Sequence, residues 1–150
     1  MKRLNTKEAI KRLEGWCESV PVKLYAIDES SFALKPVPGK WSKKEIIGHL
    51  IDSAANNHQR FVRGQFENGP IIGYDQNNWN TFSYHQEIAG GQLIDFWQIY
   101  NKQLVEIMKR IPEENLKKEV QVGSNKYTLE FLIVDYVDHL EHHLKQVITD

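Results

Sequence analysis

Three histidines stand close together near the end of the sequence, in the run Asp138-His-Leu-Glu-His-His143. Neutral imidazole is a common ligand for zinc, nickel, iron and copper. His139 and His143 are four residues apart, so on a helix both side chains leave one face, one turn apart, and can reach one ion. His139 and His142 form a second possible pair, whereas His142 and His143 diverge by about 100° and cannot easily share an ion.

Helical phase favours the pair His139 and His143. His143 falls at the border of the apolar arc that contains Leu140 and Leu144, His139 lies about 40° further out, and His142 points toward solvent. The alternative is a solvated helix end, where histidines are favoured by the helix dipole.

A third ligand must come from elsewhere, and His49, His58 and His85 are the candidates. His58 lies on the apolar stripe of its segment, which predicts a core or border position. His49 lies nearly opposite that stripe. Its polar face is either wet, or it lines a cleft covered by residues 68–90, and the pattern leaves both readings open. The same face carries Asp52, Ser53, Asn56 and Arg60.

Other kinds of site are absent from the sequence. It has no G-x-S-x-G motif, no P-loop and no G-x-G-x-x-G motif. Cys17 lies on an apolar helix face, which predicts a small core residue rather than a nucleophile. The net charge of −1 and the few cations around the aromatic run at 74–79 make nucleic acid an improbable partner.

Four amphipathic segments must position these side chains. The first runs from about Thr6 to about Asp28, and Pro21 should kink or interrupt it. The second begins at Ser42 with the capping-box spacing S-x-x-E and ends between residues 64 and 69. The third runs from Leu93 to residue 111, and the fourth spans about 128 to 148.

The second and third segments are joined by residues 68–90, a polar and aromatic stretch with little helical period that we predict to be a long loop. Residues 118–122 and 126–128 could pair as a small hairpin, a possibility that the pattern leaves open. Four amphipathic segments joined by breaks predict an all-α four-helix bundle. Its predicted core contains Leu13, Ile47, Leu50, Phe96, Tyr100, Leu104, Val137, Leu140 and Leu144.

The composition is that of one globular domain of 150 residues, with 41% hydrophobic and 26% charged residues. The single cysteine excludes an internal disulfide and fits a reducing compartment. The sequence shows no signal peptide and no apolar run long enough to span a bilayer. We therefore expect a cytoplasmic protein.

Three motifs, in this order along the chain, resemble the DinB-like superfamily, including its YfiT-like members. The first is Pro38-Gly-Lys-Trp-Ser-Lys-Lys-Glu-Ile-Ile-Gly-His-Leu-Ile-Asp-Ser53, which resembles the start of the family's second helix. The second is Tyr74-Asp-Gln-Asn-Asn-Trp79, which resembles its connecting loop. The third is Tyr136-Val-Asp-His-Leu-Glu-His-His-Leu-Lys-Gln-Val147, which resembles its last helix with the pattern H-x-x-H-H-x-x-Q.

The resemblance implies a four-helix bundle with up-down-down-up topology and a metal ion on His49, His139 and His143. It also implies a metal-dependent hydrolase or a low-molecular-weight thiol S-transferase, as in the bacillithiol-dependent enzymes, and a small-molecule substrate. Several relatives are homodimers, so the resemblance favours a homodimer here as well.

Three neutral imidazoles leave open positions on an ion, as catalytic metal sites do. Nickel, zinc, iron and manganese all suit such ligands, so the divalent metal is left open.

Asn56, Asp75 and Trp79 are candidates to line the pocket or support the ligands. For Asp75 the alternative is an Asx turn, and for Trp79 it is an aromatic anchor in the loop. No catalytic side chain is assigned, and the rival function is a non-catalytic metal-binding stress-response bundle.

Overall fold

The computed structural model describes residues 4–148, which form four long helices, three one- or two-turn helices and one β-hairpin. The long helices are α1 (Thr6–Tyr25), α3 (Lys43–Phe66), α5 (Gly90–Arg110) and α7 (Leu129–Val147). The short helices are α2 (Glu29–Phe32), α4 (Gln76–Phe82) and α6 (Glu113–Leu116), and a 3-10 turn spans His85–Glu87. The hairpin pairs β1 (Glu119–Val122) antiparallel with β2 (Asn125–Thr128).

The long helices form a bundle with up-down-down-up topology, as predicted. Helices α1 and α3 each pack against α5 and α7, so they lie on opposite corners of the bundle. Because α3 and α5 run in the same direction, the chain must return along the whole length of α3 before α5 can begin. Helix α3 has 24 residues, which makes that return about 36 Å long.

Local signals set the start of α3. The Ser42 hydroxyl accepts a hydrogen bond from the backbone N–H of Glu45, and the Glu45 carboxylate accepts one from the backbone N–H of Ser42. This is the predicted capping box, and it satisfies two N–H groups that have no partner within the helix.

Helix α1 continues through Pro21 and ends at Tyr25, three residues before the predicted end. Proline has no N–H, so it cannot donate to the carbonyl of Cys17 four residues earlier. The side chain of Gln98 on α5 donates to that carbonyl instead, at 2.9 Å. The predicted interruption is therefore wrong, because a neighbouring helix supplies the missing donor.

The core prediction is confirmed at seven of its nine positions, which are buried. The prediction for Phe96 is wrong, because its side chain is 46% exposed. Its ring lies against Tyr100, the ninth position, which is only half-buried. Helix α5 packs on α1 and α3, and Trp97, which is fully buried, occupies the centre of its inward face. Phe96 is one residue away, about 100° around the helix, and falls at the edge of the bundle.

The connection after α3 is more ordered than the predicted loop. It contains α4 and the 3-10 turn, and Ile72 donates its backbone N–H to Gln121 of β1 at 2.9 Å. Gln121 in turn donates to the carbonyl of Pro70 at 2.9 Å, so residues 70–72 lie along the hairpin. The hairpin that the sequence left open thus anchors the beginning of this connection.

Among the described residues, no helix has the length and apolar character that a membrane span requires.

Replacing Leu104 with alanine should lower the free energy of unfolding by about 2–5 kcal/mol, because this side chain is fully buried between helices. Ile99→Ala on the same helix is the control, since Ile99 is 61% exposed and its truncation should change stability by less than about 0.5 kcal/mol. Urea unfolding of both variants measures the difference, and equal losses would contradict the described packing of α5.

Candidate metal centre

Three histidine side chains meet between α3 and α7. His49 comes from the first third of α3, and His139 and His143 come from the second half of α7. The Nε2 atom of His139 lies 3.5 Å from Nε2 of His49 and 3.1 Å from Nε2 of His143. One ligand nitrogen from each residue lies within 4.8 Å of the others. The antiparallel packing of α3 and α7 thus brings together residues 90 positions apart in the sequence.

These separations suit a shared metal ion. Two nitrogens bound tetrahedrally at 2.0–2.1 Å are about 3.3 Å apart. The Nε2 separations of 3.1 Å (His139–His143) and 3.5 Å (His49–His139) bracket that value. The donor set is three imidazoles and no carboxylate, which leaves at least one position on an ion for water or another small ligand.

The three rings differ in their access to solvent. His49 is fully buried, and its ring lies 4.9 Å from the ring of Trp41. His139 and His143 are half-buried. The Nδ1 atom of His143 lies 3.0 Å from Oε1 of Gln146, and a proton on Nδ1 donated to this oxygen would leave Nε2 as the ligand nitrogen. The cluster therefore has a closed side on α3 and an open side on α7.

Burial keeps two of the rings neutral. Burial, with smaller contributions from charge on His143, His139 and His85, lowers the pKa of His49 to about 3. Burial also lowers the pKa of His139 to about 4, with smaller contributions from His143 and His142. At pH 7 both rings are uncharged, so their nitrogen lone pairs are available to a metal ion.

The remaining histidines lie where the phase analysis predicted or take other partners. His142 is exposed and is not part of the cluster. His58 is half-buried, and its Nδ1 lies 2.8 Å from the hydroxyl of Tyr100, as expected of a border residue. His85 is buried, and its Nε2 lies 2.9 Å from Oδ1 of Asp52.

The return segment, residues 67–89, covers the polar face of α3 from its end to its start. Near the end of α3, the guanidinium of Arg60 donates to the carbonyl of Ile72 at 3.0 Å. Near its start, Asn80 donates to the carbonyl of Glu45 at 2.9 Å. The face is therefore covered rather than wet, and a cleft beside it stays a prediction. The side chains buried on it are His49, Asp52, Ser53, Asn56 and Arg60.

His85 is pressed against α3, and the sequence pattern did not reveal this contact. A Cβ on Gly48 would lie 2.2 Å from Cγ of the His85 ring, so only glycine allows the approach. Tyr84 precedes it with φ of 57°, a left-handed conformation that costs energy in a residue other than glycine. The only sequence signal is a glycine in the middle of a helix, directly before a candidate ligand.

The three residues named for the pocket occupy different settings. Asn56 is buried on the polar face of α3 and donates to the carbonyl of Asp52 at 2.9 Å. Asp75 is the N-cap of α4, where its carboxylate accepts from Asn78. Trp79 is 38% exposed and packs edge-on against Tyr74. Asp75 therefore caps a helix and Trp79 packs on a neighbouring aromatic ring, as their structural interpretations in the sequence analysis expected. A role of either residue in the pocket stays a prediction.

A helical bundle with up-down-down-up topology that carries a cluster of three histidines defines the structural class, and comparison with known proteins identifies the family. The sequence profile of the DinB superfamily matches residues 6–147, and the chain belongs to this superfamily.

Relatives of this chain are found among bacterial proteins. It is 24% identical over 137 residues to the Bacillus subtilis protein named "Putative metal-dependent hydrolase YfiT". The aligned region covers 87% of this chain and 77% of that protein. The solved structure of YfiT superposes with a TM-score of 0.83 at 21% identity, over 98% of this chain and 86% of that one. The mycothiol-dependent maleylpyruvate isomerase superposes with a TM-score of 0.76 at 11% identity, over 94% of this chain and 60% of that enzyme. These superpositions show a shared fold.

The metal-free protein should lose stability as the pH falls from about 6.5 toward 4. Histidine in the unfolded chain takes up a proton near pH 6.5, whereas folded His49 and His139 have pKa values of about 3 and 4. In this window the unfolded state binds more protons, so the free energy of unfolding decreases as the pH decreases. Urea unfolding with a chelator at pH 7.5, 6 and 5 measures the slope. His49→Gln and His139→Gln should flatten it relative to the exposed His142→Gln, and equal slopes would contradict the described burial.

Gly48→Ala should destabilise the protein by about 1–3 kcal/mol, because its Cβ would overlap the His85 ring. Gly15→Ala is a matched control in the middle of α1, where a Cβ meets nothing within 4 Å. That replacement should stabilise the helix by about 0.5–1 kcal/mol. Thermal unfolding compares the two variants, and a stable Gly48→Ala protein would show that His85 is not held against α3.

Proposed function

We propose that this protein is a metal-dependent enzyme that holds one divalent ion on His49, His139 and His143 and acts on a small molecule. The observation that carries the proposal is the convergence of three Nε2 atoms, with successive separations of 3.5 and 3.1 Å, on the border between a buried helix face and solvent. When bound, an ion on imidazole ligands lowers the pKa of a coordinated water or thiol, so that a nucleophile exists at neutral pH.

The side chains around the cluster have different proposed roles. His49 is fully buried against the ring of partly buried Trp41, and low exposure strengthens electrostatic interactions on this side of the cluster. The half-buried rings of His139 and His143 face the side from which a substrate can enter. Asn56, on the same buried face of α3 as His49, is the best placed of the predicted pocket residues.

Two reactions are compatible with this arrangement: hydrolysis by an activated water and transfer to a low-molecular-weight thiol. The name of the relative YfiT supports the first, and the shared fold of the mycothiol-dependent isomerase supports the second. Nickel, zinc, iron and manganese remain candidates for the metal. A reducing cytoplasm suits thiol chemistry and the free, buried Cys17. Self-association as a homodimer is part of the same proposal, and sedimentation at micromolar concentration tests it.

Single replacements His49→Ala, His139→Ala and His143→Ala should each weaken zinc binding by at least about 100-fold, because each removes one of three ligands. His142→Ala is the control, since His142 is the exposed neighbour of His143 and is not part of the cluster. Metal analysis of the purified proteins and competition with a chelating dye measure the effect. Loss of binding in His142→Ala, or retention in His143→Ala, would refute this ligand set.

Turnover separates an enzyme from a protein that only stores metal. Ester hydrolysis and consumption of a thiol by an electrophile should both be assayed with the metal-loaded protein and its His49→Ala variant. At least one activity should disappear on chelation and return with metal. Metal binding without either activity would favour the non-catalytic bundle.

A further inference from the structure

An unusual group of buried atoms lies beside the histidine cluster. Among the described residues, buried side-chain atoms without a hydrogen-bond partner are His49 Nδ1, Asp52 Oδ2, His85 Nδ1 and Trp97 Nε1. The first three atoms belong to residues of α3 and of the 3-10 turn that packs on it. Buried polar atoms in folded proteins are normally paired, so three exceptions in one place call for a physical account.

Asp52 carries the largest cost of the three. Its side chain is 4% exposed, and its Oδ1 accepts from Nε2 of His85 at 2.9 Å, while Oδ2 has no donor. No lysine or arginine in the described part of the chain forms an ion pair with it. A buried carboxylate without a permanently charged partner is costly unless another positive charge is supplied.

His49 has the complementary need. If His49 held a metal ion through Nε2, its ring proton would lie on Nδ1 and would require an acceptor. That nitrogen is buried and has none. Asp52 follows His49 by three residues on α3, so the two side chains are neighbours on one helix face. One group is a donor without an acceptor, and the other is an acceptor without a donor.

We propose that Asp52 is the positioning residue of the metal site. In the metal-bound protein its Oδ2 accepts the Nδ1–H of His49 through one water, or directly after a rotation of the carboxylate, and its charge compensates part of the charge of the ion. His85 holds the other carboxylate oxygen, and Gly48 leaves room for the His85 ring to lie against α3. The result is a chain of hydrogen bonds from the ligand His49 through Asp52 to His85. This inference rests on the metal site proposed above.

The variant Asp52→Asn tests the proposal, because it keeps the shape of the side chain and an acceptor for His85 but removes the charge. Zinc affinity should fall by about 10–100-fold, the usual effect of losing an outer partner of a metal-bound histidine. The melting temperature of the chelator-treated protein should stay equal or rise, since an uncompensated buried charge is gone. Opposite responses of the metal-bound and metal-free forms are the signature of this role.

Asp138→Asn is the matched control. It also removes one carboxylate near the ligands, but Asp138 is exposed and is paired with Arg12 at 2.8 Å. Its zinc affinity should change by less than about threefold, because exposed charges act weakly. An equal loss of affinity in both variants would mean that only long-range charge matters, and it would overturn the proposal.

A spectroscopic measurement separates positioning from packing. In zinc-loaded protein, nitrogen–proton NMR spectra should show His49 with its proton on Nδ1 and with the downfield proton shift of a hydrogen bond to a carboxylate. Asp52→Asn should move that signal upfield.

The outcomes also distinguish this inference from the proposed function. If wild-type protein binds none of zinc, nickel, iron and manganese, the proposed function fails. If wild type binds zinc and Asp52→Asn binds it equally well, the positioning role alone is wrong. A lower melting temperature of the metal-free Asp52→Asn protein, with unchanged His49 signals, would assign Asp52 a purely structural role and overturn the inference.

Discussion

The parallel arrangement of α3 and α5 is the constraint on which the rest of this structure depends. Two parallel neighbours cannot be joined by a short turn, so residues 67–89 must travel back along α3. They do so over the polar face of that helix, from Arg60 near its end to Glu45 near its start. A connection that the topology requires thus also covers the helix face that holds a candidate ligand.

Covering this face changes its electrostatics. Polar side chains that would be hydrated on a free helix must find partners inside the protein, and most of them do. Arg60 donates to a carbonyl of the return segment, and Asn56 and Asn57 donate to carbonyls of their own helix. The exceptions lie at the other end of the face, around His49 and Asp52. Natural proteins tolerate such local deficits mainly where function requires them, and here the deficit adjoins the histidine cluster.

Features set by neighbouring residues could be predicted from the sequence, and those set by distant contacts could not. The capping box at Ser42 and the shared face of His139 and His143 depend on spacings of three and four residues, and the structure has both. Phase alone left His49 undecided, because its environment depends on a segment that folds back from beyond the end of α3; the family resemblance assigned it. The contact of His85 with Asp52 joins positions 33 residues apart, in a stretch without periodicity, and no local pattern indicates it.

The proline in α1 has a consequence for how the bundle avoids mispacking. Apolar ridges on two helices repeat every turn, so one helix can slide past another by about 5.4 Å and still bury similar surface. The carbonyl of Cys17 has no partner within α1 because Pro21 lacks an N–H, and Gln98 binds it instead. This pairing occurs at a single position along the helix axis. Sliding α1 against α5 would leave that partly buried carbonyl without a donor, at a cost of about 1–3 kcal/mol. A residue usually regarded as a helix breaker therefore sets the axial register of the helix pair.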